Sequence, residues 1–118
     1  MGDDLWQYSA GSTVRLTTTG RTTGRQHTVT IWFVVLDADR FYVQHVRGRA
    51  HWYKNAIKTP EVQVDFGAGP RSGRLMPIAD AQEIKRVLAL FRRKYLMAWV
   101  VQLLGIRQQP VAAVIECR

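Results

Sequence analysis

Leu16-Thr17-Thr18-Thr19-Gly20-Arg21-Thr22-Thr23-Gly24-Arg25-Gln26-His27 joins one strand-like run to a tight turn carrying two glycines, two arginines and several hydroxyls. Before the turn, Thr13 to Thr19 alternates Val14, Leu16 and Thr18 against Thr13, Arg15 and Thr17, which is strand periodicity in β-branched residues. After it, Thr28 to Leu36 is nearly all β-branched or aromatic and reads as a second strand, buried on both faces at its centre. Glycines let backbone N–H groups approach an anion closely, and arginines supply opposing charge in a bidentate fork. Two readings of the turn stand side by side: a cradle for a phosphate or carboxylate between two strands, and a hairpin turn with solvated arginines. A Walker loop is excluded, because that motif needs Gly-x-x-x-x-Gly-Lys-Ser/Thr before a helix and the spacing here is Gly-x-x-x-Gly before a strand.

Working outward, Asp37-Ala38-Asp39-Arg40 reads as a hairpin turn into a strand over 41–46, so consecutive strands form a meander and the sheet is expected to be antiparallel. Arg47-Gly48-Arg49 is a second basic glycine turn. Helical spacing follows over 50–58, stopped by Thr59-Pro60. Strands over 61–66 and 72–78 flank the turn Gly67-Ala68-Gly69-Pro70. Asp80-x-x-Glu83 is a capping box opening the one long helix, with Ile84, Val87, Leu88 and Phe91 as its core stripe and Arg86, Arg92, Arg93 and Lys94 on its outer or ligand side. Tyr95 to Leu104 is expected to continue as helix to Gly105, and Val111 to Cys117 forms the last strand. Near the other end, Leu5 to Tyr8 suits a helical turn capped by Asp3 or Asp4. Many short strands with one main helix give an α+β, mainly β chain: a small antiparallel barrel, in one domain over 1–118.

The formal charge of +8 is high for 118 residues and implies an anionic partner. Only four of the seventeen cations are lysine (Lys54, Lys58, Lys85, Lys94); the rest are arginine, the side chain suited to bidentate phosphate and carboxylate contacts. Cys117 is the only cysteine, which excludes an internal disulfide, and no cysteine-based metal site is expected. His27, His45 and His51 share no metal-binding helix spacing, so no metal site is expected. There is no Ser-His-Asp order and no paired carboxylate. Met1-Gly2-Asp3-Asp4 lacks the apolar core of a signal peptide, so a cytoplasmic setting is expected. The run Leu96 to Leu104 is too short to span a bilayer. Its apolar residues suit pairing of two copies, a lid, or peripheral contact with an anionic membrane, and the sequence leaves these open. Basic residues interleaved with aromatics also occur in proteins that hold single-stranded nucleic acid, but no stacking motif accompanies them here and that reading is set aside.

Leu16-Thr17-Thr18-Thr19-Gly20-Arg21 with Gly24, the run Trp32-Phe33-Val34-Val35 with its Asp/Arg turn, and Trp52-Tyr53 with Asn55, Pro60, Val62 and Val64 together resemble the deazaflavin (F420)-dependent nitroreductase family. That family belongs to the flavin-reductase-like, FMN-binding split β-barrels. The resemblance runs from Leu16 to Val64, with a weaker echo over 110–117. It implies an oxidoreductase that passes a hydride from reduced coenzyme F420 to a small electrophilic acceptor such as a quinone, nitroaromatic or enoyl group. FMN is the alternative cofactor, and a non-catalytic carrier the alternative role. It also implies that Arg21, Thr22, Gly24, Arg25 and His27 bind the phosphate, and that Val29 and Ile31, on a strand running to Phe33, lie along the ring. Arg47, Gly48 and Arg49 would grip the phosphate or tail, and Trp52, which as a helix residue also suits packing inward onto the barrel, is counted with the cofactor-binding residues. Tyr95 would wall the substrate and stand first as proton donor, with His45 second. The family often has Lys where this chain has Thr22 and Arg where it has His27, its loop before Trp52 is longer, and its C-terminal tyrosine cluster is here reduced to Tyr95 with Trp99 nearby. The first difference leaves the cofactor open, the others the acceptor.

Overall fold

The computed structural model describes residues 4–45, 51–95 and 111–117. Seven strands, β1 (Thr13–Thr19), β2 (Gln26–Trp32), β3 (Val34–Val35), β4 (Arg40–His45), β5 (Glu61–Asp65), β6 (Pro70–Pro77) and β7 (Val111–Cys117), form one sheet with two helices, α1 (His51–Lys58) and α2 (Ala81–Lys94). Every pairing is antiparallel, in the order β2-β1-β5-β6-β7-β4-β3. The two edge strands of that order, β2 and β3, are separated in the chain by Phe33 alone. The sheet therefore curls until its edges meet in one stretch of chain, which is the split-barrel form expected from the sequence.

Alternation decides the interior. On β1, Val14, Leu16 and Thr18 are buried, and their cross-strand partners Ile31, Val29 and His27 on β2 share that face. The outer face of the pair carries Thr17 and Thr28, whose hydroxyls lie 2.7 Å apart. At the barrel centre the fully buried Phe33 meets Phe41 and Phe66 edge-on, and Tyr8 stacks flat on Phe66 at 4.7 Å. A second cluster forms on the other side of the sheet, where Val87 and Phe91 of α2 cover Tyr42, Ala112 and Val114. Burying a side chain such as Phe91 contributes roughly 1.5–3 kcal/mol, so α2 is held by packing more than by helix propensity.

Local chemistry sets the ends. Asp4 caps the 3-10 turn Leu5–Tyr8 by accepting from the Trp6 N–H, and Asp80 caps α2 by accepting from the Gln82 N–H at 3.1 Å. Glu83 pairs with Arg86 at 3.8 Å.

Three expectations need correction. The run 28–36 is two strands broken at Phe33; its centre packs on both faces as expected, Phe33 and Val35 in the barrel core and Trp32 and Val34 against the α2 cluster, while Thr28 and Thr30 are exposed. Helix α2 does not run on through Tyr95, whose backbone is extended (φ −122, ψ 117). Lys94 is not on an outer face: its ammonium donates to the Phe33 carbonyl at 2.9 Å and sits 3.9 Å over the Phe33 ring, and burial pushes its pKa down. One cause unites all three. The Tyr95 hydroxyl accepts from the Phe33 N–H at 3.2 Å and donates to the Ser12 or Phe33 carbonyl, at 2.7 and 2.8 Å. The backbone groups that a continuous ladder would have paired at Phe33 are taken by two consecutive side chains at the end of α2. The residues expected to extend the helix, 96–104, lie outside the described residues, with the apolar run read as a pairing, lid or membrane surface. No helix among the described residues is long and apolar enough to cross a membrane.

Candidate functional site

The β1–β2 turn is closed by its own backbone: the Gly20 N–H donates to the Arg25 carbonyl at 2.7 Å, and the Gly24 N–H donates to the Gly20 carbonyl at 3.0 Å. Gly24 takes φ +73, a left-handed conformation that side-chain-bearing residues adopt at a cost. Gly20 is needed for space: a Cβ there would lie 3.0 Å from the His27 ring nitrogen Nε2 and 3.1 Å from the Arg25 carbonyl oxygen. The two glycines read from the sequence thus serve different ends, one conformational and one steric.

Helix α1 lies against this turn. His51, Asn55 and Lys58 fall at i, i+4 and i+7 and so share one stripe, while Trp52, Tyr53 and Ala56 are buried in the core. That stripe takes hold of Arg21 at four points. Asn55 Oδ1 accepts from both the Arg21 main-chain N–H (3.3 Å) and its Nη1 (2.7 Å). Lys58 Nζ donates to the Arg21 carbonyl at 2.7 Å, and Arg21 Nη2 lies 3.3 Å from His51 Nδ1. A guanidinium only donates, so Nδ1 is the acceptor and the His51 proton sits on Nε2. Asn55 is 5% exposed, and its amide nitrogen donates to the buried hydroxyl of Thr18 on β1 at 3.3 Å. Helix, turn and barrel wall are joined through one amide.

Between the turn and α1 opens a cavity of about 520 Å³. Its lining includes Arg21, Thr22, Thr23, His27 and His51, with Trp52 and Val29 as its apolar members. No carboxylate lines it among the described residues. Such a lining suits an anion joined to a flat, apolar body.

Five of the residues expected at a site, Arg21, Thr22, His27, Val29 and Trp52, line this one cavity. Gly24 and Arg25 shape the turn without lining it. Ile31 packs against the core, so of the strand expected along a ring only Val29 reaches the cavity. His45 meets Trp52 edge-on at 6.4 Å and is not part of the lining. Tyr95 belongs to the α2 cluster, stacked on Trp32 at 4.6 Å, and its hydroxyl is taken up by the backbone of Phe33 and Ser12. Burial pushes that phenol's pKa up. It is neither a wall of this cavity nor a free proton donor. Arg47, Gly48 and Arg49 lie outside the described residues. Thr18, Thr23, Thr28, His51 and Asn55 were not foreseen as site residues; the polar stripe 51, 55, 58 on α1 is the signal that marks the two on the helix. Among the described residues no three His, Cys, Asp or Glu side chains gather in a metal-holding group.

The profile of a family described as "Uncharacterized protein conserved in bacteria (DUF2255)" matches residues 4–115. No curated protein sequence matches the chain. Several solved structures share its fold. An F420-H2 dependent reductase superposes with a TM-score of 0.69 at 18% identity, covering 90% of this chain and 95% of its own. The haem storage protein HutZ of Vibrio cholerae gives 0.72 at 14% identity, covering 97% and 87%. An FAD-binding protein of Mesorhizobium loti gives 0.64 at 15% identity, covering 93% and 82%. At these identities the likeness is one of fold.

Proposed function

The chain belongs to that DUF2255 family, and from this premise we propose that it is an oxidoreductase holding a flavin-type cofactor in the cavity between the β1–β2 turn and α1. The cofactor proposed is deazaflavin F420, and the acceptor a small electrophile of quinone, nitroaromatic or enoyl type. The observation that carries the reading is the lining itself: a fixed guanidinium and hydroxyls beside an indole and a valine, with no carboxylate among the described residues. The fold neighbours named for F420, FAD and haem support a flat, anionic ligand for this barrel.

Such a cofactor fits the donor set. Arg21, Thr22, Thr23 and the Nε2–H of His51 would take its anionic arm, and Trp52 and Val29 would flank its ring. When bound in reduced form it supplies the hydride. The protein's share is orientation and exclusion of water, which asks for no general acid or base. That suits a cavity whose titratable side chains among the described residues, Arg21, His27 and His51, are nitrogen bases.

The test is titration of the purified protein with F420 and with FMN, followed by calorimetry and cofactor fluorescence, for the native chain and Arg21→Gln. Binding of F420 that falls at least about tenfold in the variant is expected, from loss of charge-assisted hydrogen bonds. Oxidation of the reduced cofactor by a quinone or nitroaromatic would then separate an enzyme from a carrier. Tight FMN binding with none of F420 moves the assignment to a flavin. Binding of neither rejects the reading.

A further inference from the structure

Arginines in this fold are held in two different ways. Arg40 pairs with Asp37 at 2.6 Å, Arg74 with Glu61 at 2.7 Å, and Arg86 with Glu83 at 3.8 Å, each with a carboxylate that cancels its charge. Arg21 is likewise held through its backbone and two guanidinium nitrogens, as Arg40 is, yet by neutral acceptors: an amide oxygen and an imidazole nitrogen. Among the described residues no carboxylate pairs with it. A buried amide spent on fixing a guanidinium without neutralising it leaves a full positive charge aimed at a cavity with no internal partner. The same geometry would accept a carboxylate. An aspartate at 55 would keep both bonds to Arg21, and the Thr18 hydroxyl, which either donates or accepts, would turn its proton towards the second oxygen.

We propose that Asn55 is a positioning residue whose amide, with His51, holds Arg21 as an un-neutralised cation for a phosphate-type anion, and that anion affinity depends on residue 55 being an amide. This rests on the reading that the cavity receives the anionic arm of a ligand, and it adds which side chain sets the strength of that contact. Two of the five guanidinium protons are engaged by Asn55 and His51, which leaves three for a ligand. Steric fit is not what residue 55 controls, since amide and carboxylate have the same shape; charge is.

The experiment measures inorganic pyrophosphate and FMN binding by calorimetry at several salt concentrations, for the native protein, Asn55→Asp and Asn55→Ala, with thermal unfolding of each. Asn55→Asp is expected to unfold no earlier than the native protein, because it gains an ion pair, yet to bind pyrophosphate at least about tenfold more weakly with a shallower salt dependence. The salt slope is the readout that a merely structural role would not move. Asn55→Ala frees the guanidinium and orphans the Thr18 hydroxyl, so it lowers both stability and affinity but keeps the native salt slope. Native pyrophosphate binding that survives Asn55→Asp with an unchanged slope overturns the amide's role and leaves the cavity reading standing. Absence of binding by the native protein overturns both.

Discussion

Replacing Tyr95 by Phe isolates the clamp on the broken strand. The ring survives, so its stacking on Trp32 at 4.6 Å and on Phe91 at 5.8 Å is kept, and the apolar burial is unchanged. What goes is a hydroxyl that carries one proton. It donates to one carbonyl at a time, Ser12 at 2.7 Å or Phe33 at 2.8 Å, and accepts from the Phe33 N–H at 3.2 Å. The Phe33 carbonyl keeps Lys94, at 2.9 Å. Its N–H is left without a partner in a residue that is fully buried. Two lost hydrogen bonds at about 1 kcal/mol each, raised by the orphaned donor, give a cost of about 2–4 kcal/mol. For a chain of 118 residues that is a fall in Tm of roughly 8–16 °C. Urea unfolding of both proteins, with m unchanged, measures it directly. A loss below about 0.5 kcal/mol would refute the clamp, since no intact buried hydrogen bond is removed so cheaply. Below its transition the variant should bind F420 or FMN as the native protein does. A large loss of affinity in a folded Tyr95→Phe protein would return the hydroxyl to the ligand site.

The two turn glycines separate by mechanism. Gly24→Ala meets no atom within 4 Å and bears only the left-handed backbone at φ +73, so urea unfolding should show a loss of about 1–2 kcal/mol. Gly20→Ala drives a methyl to 3.0 Å from His27 and 3.1 Å from the Arg25 carbonyl; it should cost about 1–3 kcal/mol and also weaken FMN or pyrophosphate binding, because the turn must shift. The hydrogen bond from Arg40 is the main cause that holds the Asp37 carboxyl below its ordinary 3.8. Its contribution is therefore complete above that value and is lost as pH falls through the lower folded value. The stability difference between the native protein and Asp37→Asn should thus be flat near neutrality and shrink in acid, and a difference that grew on acidification would contradict the assignment. The pair is about two-fifths exposed, so the effect is modest and fades in salt.

Most of the barrel was legible because its signals are local. Strand β1 was expected over Thr13–Thr19, where it lies, and β7 over Val111–Cys117, from alternation and β-branched composition alone. The Asp80 cap of α2 is equally local, joining residues two apart. The break at Phe33 was not legible, because Phe33 itself is an ordinary strand residue. Its ladder partners were displaced by side chains 61 and 62 residues away, and no spacing within the run reports that. The same distance explains the misplaced Tyr95. An aromatic residue at the end of a helix reads equally well as a pocket wall or as a staple, and only the fold shows that its hydroxyl faces Phe33.

The site divides along the same line, and the division bears on the two readings that the turn allowed. Gly20, Arg21 and Gly24 were visible as a unit, but a solvated hairpin and an anion cradle share those residues. What distinguishes them is whether anything holds the arginine. A solvated hairpin arginine carries about 2 kcal/mol of side-chain rotamer entropy and has no reason to lose it. Here three side chains of α1, spaced to lie on one stripe and 30 to 37 residues beyond the turn, take its N–H, its carbonyl and both its terminal nitrogens. Ordering of that kind is compensated within the protein when the partner is a carboxylate, as at Arg40 and Arg74. With neutral partners the electrostatic return is smaller, while the entropic cost is the same. A cation held beside a cavity by neutral partners is what the proposed anion cradle requires, whereas a solvated turn requires no such hold.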